Sequence, residues 1–494
     1  MREVSRREFL RSLGGTGVSL LSVGSMGTLL SACTGAQVEE GDDGGTLIIG
    51  LNSDVPTLDP HRTLGWTTMI ATMTMGENLV TQELTEVVPG PPRLVGRLAE
   101  SHGLSDDGLT YTFHLREGVT FHDGTPFDAA AVEFNIRRQW DESFEFFYEP
   151  AAGISFWHYQ FLEDVRTPDP ATVELVLSQP WPEFLRMNAQ SWGQQFMISP
   201  SYVREVGNDE VGTAPVMTGP YRFKERVAGE RIEVERNPEY WGPQPPMQTI
   251  IFRPMSDVAA RISALTSGQI DIAQDPLPWT SKEEIEGSGA QITTAEPPHL
   301  VFMSLNLRDE ATGNVLVRQA IDMGINKQRM VDLLYGDWAS PAQSMLPANS
   351  PSYDAGFQGR PYDPERARAL LAEAGHPDGF ETHMLIHDAF EDIATAIQRD
   401  LGEIGITVVL DQVDFATFGG QWAAGLASPQ TMTFASWGMT ADYWIDIMTR
   451  STRQPPDGTN IAWYSNARID ELLDQAQVEL TENERTRLYR EVGD

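Results

Sequence analysis

Between Thr249 and Ala273 the sequence reads strand, helix, strand, and that run constrains the fold more than any other. Thr249-Ile-Ile-Phe-Arg-Pro is a short β-rich apolar run. Asp257 stands at a helix N-cap position, Val258, Ile262 and Leu265 follow on one helical face, and Gly268 stops the helix. Gln269-Ile-Asp-Ile-Ala is the second strand. Two strands joined by one crossover helix run parallel in the same sheet, with a right-handed connection. The chain must therefore contain an α/β layer with a mostly parallel sheet.

Other segments extend this pattern in both directions. Thr46-Leu-Ile-Ile-Gly-Leu is a buried strand, followed by a loop with prolines at 56 and 60 and a helical stretch over 67–80. Leu109 to Arg116 alternates apolar and polar, 118–124 is turn chemistry around a short strand, and Asp128 caps a helix to about Trp140. Thr172–Leu177 is a strand, and Pro220–Lys224 with Arg231–Arg236 make a hairpin. From Leu300 a second α/β region opens. Its helices are expected over 314–335, 364–374 and 392–404, with strands over 380–387 and 406–410. The reading is two α/β lobes with a β-rich module between them and no internal repeat.

Composition narrows the function. The formal charge is −36, with 71 acidic against 35 basic side chains. Nucleic-acid binding needs a basic surface, so it is excluded. Only three lysines occur, Lys224, Lys282 and Lys327, so arginine supplies nearly all the basic charge. A salty habitat and codon bias both account for that. One cysteine excludes a disulfide framework and Cys-based zinc sites.

That cysteine closes an address. Arg6 and Arg7 lie in Ser5-Arg-Arg-Glu-Phe-Leu10, ahead of a mildly apolar Gly/Ser/Leu run to Leu30 and then Leu30-Ser-Ala-Cys33. A charged start, an apolar middle and small residues before a cut site make an export signal. The order resembles a twin-arginine signal, and Leu-Ser-Ala-Cys resembles a lipobox, in which Cys33 takes the lipid. The other reading of Cys33 is ordinary cleavage after Ala32 with a leftover thiol. Residues 1–32 are then the signal, and 33–45, rich in Gly, Glu and Asp, a flexible acidic tether. The membrane is thus reached through the lipid, since no stretch is long and apolar enough to span a bilayer.

Several segments in order resemble one family. They are Leu98-Ala-Glu-Ser with Ser105–Phe127, Thr218-Gly-Pro-Tyr-Arg-Phe223 with Arg236-Asn-Pro-Glu-Tyr-Trp-Gly242, and Ala264–Asp271. Val317–Asp322, Tyr362–Gly375 and Tyr464-Ser-Asn466 complete the set. Together they are similar to the family 5 extracellular solute-binding proteins, the peptide/nickel type that feeds ABC importers. The resemblance implies a periplasmic-binding-protein-like clamshell of type II. Lobe I would take 46–80 and 215–298, a β-rich subdomain 81–214, and lobe II 299–494. Ligand enclosed between the lobes would bias closure. The family continues past a final helix with a tail that returns to the first lobe. The chain ends at Asp494, so stability is expected to suffer without that tail.

The resemblance also implies site residues. Thr431–Tyr443 matches the family's Trp-x-x-Asp-like segment, which makes Asp442 the partner of a substrate ammonium and Trp437 the wall of a side-chain pocket. A carboxylate enclosed in a cleft needs a cation, because an unpaired buried charge is costly. Asp442 as a helix cap is the plainer alternative. Met439 would lend its backbone, and Trp66, past the Leu58-Asp-Pro-His61 loop, would face the ligand or simply pack between lobes. Aromatic walls suit a tolerant binder. The expected partners are a peptide or similar cationic or zwitterionic solute and the permease subunits of an importer, with the chain a monomer. A sugar, a nickel complex or a sensing role is the alternative.

An exported hydrolase is the rival class. No Gly-x-Ser-x-Gly, P-loop, His-Glu-x-x-His or Gly-x-Gly-x-x-Gly motif is present. His383 and His387 would share a metal only on a helix, and they fall where a strand is expected. No catalytic residue, metal or cofactor is therefore expected.

Overall fold

The computed structural model describes residues 44–493 except 64, 84–91, 190–193, 275, 295–299, 349, 438–440 and 457. At 415–416, 435–437 and 441–443 it describes the backbone alone. The first lobe is built on a five-stranded sheet in the order β11-β1-β10-β9-β8. Its members are β1 (Thr46–Leu51), β8 (Tyr221–Val227), β9 (Arg231–Arg236), β10 (Thr249–Pro254) and β11 (Ile272–Ala273). The strand–helix–strand run is present, with β10, the helix Val258–Thr266 and β11. However, β11 pairs with β1 and not with β10, so the crossover passes over β1. Asp257 caps the helix through Ala260 N. The buried face is Arg261, Ile262 and Ala264, and Val258 is exposed, which corrects the expected stripe.

The expected helix over 67–80 covers only Trp66–Thr72, after which the chain turns into β2 (Val80–Gln82), paired with β3 (Leu94–Gly96). The β-rich module follows as an antiparallel sheet ordered β4-β5-β7-β6. These strands are β4 (Ala99–Leu104), β5 (Thr110–Leu115), β6 (Leu162–Asp169) and β7 (Thr172–Leu177). Tyr111, Phe113 and Leu115 alternate inward, as a half-buried strand requires. At 118–124 only an isolated bridge, Thr120 to Pro126, forms instead of a strand. Helix Ala129–Trp140 packs on β6 and β7, and helix Glu149–Tyr159 packs on that helix. Asp128 caps the first through Ala131 N, as the sequence predicts.

The second lobe holds the sheet β12-β15-β13-β14. Here β13 (Phe380–Ile386), β14 (Ile406–Gln412) and β15 (Gln430–Trp437) are parallel, and β12 (Leu300–Leu305) is antiparallel to β15. Helices Val315–Gly324, Pro364–Glu373 and Glu391–Glu403 bury Val317, Ile321, Leu370, Leu371, Ile397 and Leu401 against that sheet. The single helix expected over 314–335 is two. Asn326 breaks it by accepting Arg329 N as a new N-cap, and Lys327–Leu334 sets off separately. No helix among the described residues is long and apolar enough to cross a membrane.

Buried polar joints fasten the β-rich module to the first lobe. Glu77 accepts hydrogen bonds from Tyr240 Oη (2.8 Å) and Trp241 Nε1 (2.9 Å) and pairs with Arg97 (3.1 Å). Burial raises its carboxyl above the usual range even so. A Cβ on Gly219 would sit 2.5 Å from Met75 O, so only glycine lets these segments approach. On the other side, Trp444, Ile447, Met448 and Ile461 of the second lobe join the module's apolar core. Arg485 Nε donates to Glu183 (3.1 Å), and Arg453 to Gln160 (2.8 Å).

Candidate functional site

In an open α/β sheet, ligands sit outside the carboxyl ends of the parallel strands, because crossover loops gather there and helices begin there. In the second lobe those ends are Ile386, Gln412 and Trp437. Trp437 pairs with Leu300, the first residue of β12. The chain thus enters the second lobe beside the end of β15. Asp442 lies in the first turn of the next helix, Ala441–Thr449. Met439, in between, lies outside the described residues, as do Arg6, Arg7 and Cys33.

In the first lobe the carboxyl end of β1 leads through residues 52–65 to Trp66, which opens its helix and is 57 % exposed. Trp66 and Trp437 therefore occupy corresponding edges of the two sheets. Each of these positions follows the carboxyl end of a strand within its own lobe.

The loop bearing Trp66 is set by a buried ionic cluster that sequence reasoning missed. Asp59 accepts from Arg138 Nη2 at 2.8 Å, with the two side chains 1 % and 0 % exposed. Arg138 Nη1 also donates to His61 Nδ1 (2.8 Å), and its Nε to Asn208 Oδ1 (2.9 Å). His61 Nε2 donates to Phe196 O (2.8 Å). Burial, with Arg138 beside it, pushes the His61 ring down to about 4. Gln194 Nε2 holds Thr63 O and Thr68 Oγ1 holds Thr57 O, completing the frame. A signal was available. Arg138 follows Ala131 and Phe134 at i+7 and i+4, on the helix's apolar face.

His383 lies on β13, with its Nδ1 3.0 Å from Asp411 Oδ1. His387, four residues along an extended chain and so about 13 Å away, packs edge-on against Phe390 and Phe418. Asp123 organises its own turn through Thr125 N, and His122 Nε2 donates to Gly219 O. His122 and Asp123 thus tie their turn to the distant segments at Met217–Gly219 and Ser199.

The comparisons with known proteins identify the family and the fold. The profile described as bacterial extracellular solute-binding proteins, family 5 Middle, matches residues 93–455. The chain belongs to this family. The glutathione-binding protein GsiB of Escherichia coli (strain K12) is 30 % identical over 492 residues, covering 96 % of this chain and 90 % of that protein. The periplasmic binding protein DppA from Helicobacter pylori, solved with the peptide STSA, superposes with a TM-score of 0.76 at 25 % identity, covering 91 % and 89 %. NikA from Brucella suis, solved with Fe(III)-EDTA, has a TM-score of 0.77 at 24 % identity over 90 % of each chain, a likeness of fold. Family 5 proteins are extracytoplasmic solute-binding components of ABC transporters, not enzymes, and this protein shares their two-lobe clamshell with its extra β-rich subdomain.

Proposed function

We propose that this family 5 protein captures a peptide, or a similar cationic or zwitterionic solute, for an ABC importer, anchored to the outer face of the cytoplasmic membrane through Cys33. One observation chiefly supports the ligand class. An acid, Asp442, stands in the first turn of the helix that leaves the carboxyl end of β15. There it can meet a substrate ammonium while Trp437, Met439 and Trp66 supply contact area. The peptide and glutathione named for its relatives are zwitterions of this kind.

Calorimetric titration with di- to oligopeptides, glutathione, sugars and Ni²⁺ tests the class, and sugars alone binding would reject it. Removing one partner of an enclosed charge pair costs about 2–5 kcal/mol, so Asp442→Asn will weaken a free-amino peptide roughly 30-fold or more. The same peptide N-acetylated will bind both forms alike. Equal losses for the two peptides would remove the ammonium role. Separately, Cys33→Ser will abolish labelling by radioactive palmitate and release the protein from membranes. Arg6→Lys with Arg7→Lys will hold the precursor inside the cell. Undiminished labelling of the serine variant would discard the anchor.

A further inference from the structure

We propose that Trp279 is a latch between the lobes, an affinity-determining residue that holds the clamshell shut without touching the cargo. Trp279 begins a turn, Trp279–Ser281, that leads into the helix Lys282–Gly287. That helix packs on Val258–Thr266, the crossover helix of the first lobe, and buries Ile285. The Trp279 side chain nevertheless bonds to the other lobe. Its Nε1 donates to Leu333 O at 2.9 Å, at the end of the helix Lys327–Leu334. Three residues on, Lys282 Nζ pairs with Asp337 Oδ2 at 2.6 Å.

The receiving surface is shaped for the ring. Gly336 has φ +56, and a Cβ there would lie 2.7 Å from the Trp279 ring. Only glycine takes that backbone at no cost and leaves room for the indole. The surface also lies on the cleft side. Asn326 N donates to Asp400, near the end of the helix Glu391–Glu403, which starts from the carboxyl end of β13. Tyr335, after the helix Lys327–Leu334, lies within electrostatic reach of Asp392 in the first turn of Glu391–Glu403, so the chain runs back toward the carboxyl edge and brings Gly336 there, the edge where Trp437 ends β15. A lobe I indole seated on this edge favours closure. By linkage, whatever favours the closed form also tightens the hold on a solute that binds that form better, and opening must precede its release.

The latch rests on the two-lobe fold and not on the identity of the cargo, so its test has two arms. Small-angle scattering of the ligand-free protein reads closure directly, and stopped-flow release of glutathione or of the dipeptide Met-Leu reads retention. Trp279→Ala will enlarge the radius of gyration and speed release about tenfold, the scale of a lost hydrogen bond with its apolar contact. Trp279→Phe, which keeps a ring but no donor, will fall between. Gly336→Ala will reproduce Trp279→Ala, because its methyl evicts the ring. Unchanged scattering in all three variants overturns the latch, whether or not their melting temperatures fall. So does release within about twofold of the parent, on the same energetic scale. If the parent binds neither solute, the peptide reading fails while the scattering arm still decides the latch.

Discussion

Replacing Arg138 by methionine will lower the unfolding free energy by about 3–5 kcal/mol, the cost of stranding one charge of a buried pair. The partner left behind is Asp59, which is 1 % exposed and loses its guanidinium. His61 and Asn208 lose their hydrogen bonds to the same group. Methionine fills most of the volume, so the loss is electrostatic more than a cavity. The double variant Asp59→Asn/Arg138→Met removes both charges and will recover most of the stability, since neither side is then stranded. Urea unfolding of the four corners of this cycle measures the coupling. A single-variant cost under about 1 kcal/mol would show that water reaches Asp59 and that the cluster is not closed. The consequence reaches Trp66, because Asp59 and His61 fix the loop that ends there.

Much of the architecture was legible because the sequence states it locally. Asp128, Asp257, Asp363 and Asn314 stand where helices begin, and each accepts a backbone N–H in the folded protein. What misled was continuity of apolar spacing. The run 314–335 keeps its helical period across Ile325 and Asn326, so the break is written only in the capping ability of one asparagine. The stretch after Thr72 likewise looks helical until tertiary packing turns it into β2. Pairing order was not legible, since nothing in β10 or β11 says that β1 lies between them.

The residues that carry the family resemblance explain its limits for the site. Tyr240 and Trp241 serve Glu77, and Gly219 serves a backbone approach, so this part of the motif encodes joints between units. Such positions identify a fold and leave the cargo open. Trp437 and Asp442 rest on the match of one short segment, which the fold puts at the carboxyl end of β15 and the start of the next helix. Trp279 gave no signal at all. Its partners lie more than fifty residues away, and an exposed-looking tryptophan in a Pro-rich segment reads as loop.

Acid will destabilise this protein as the pH falls from 6.5 toward 4. Three histidines must stay neutral. His61 accepts from Arg138 at Nδ1 and donates from Nε2, and His122 does the same with Met217 N and Gly219 O. Burial pushes both down to about 4 and His158 to about 3. Unfolded, each ring takes its proton near pH 6.5. Between the two values the unfolded chain binds more protons, so falling pH favours it, and the stability present above 6.5 is lost toward 4. At about 1.4 kcal/mol per ring per pH unit, the three together amount to roughly 3 kcal/mol between pH 6 and pH 5. Glu77 runs the other way. Its raised carboxyl takes a proton earlier in the fold than in the unfolded chain, which offsets part of the loss near its own range. Urea midpoints at pH 7, 6 and 5 will therefore fall steadily, and His122→Gln will flatten that slope by about a third if it folds. A midpoint constant from pH 7 to pH 5 would mean that these rings protonate in place, and the neutral tautomers assigned to them would be wrong.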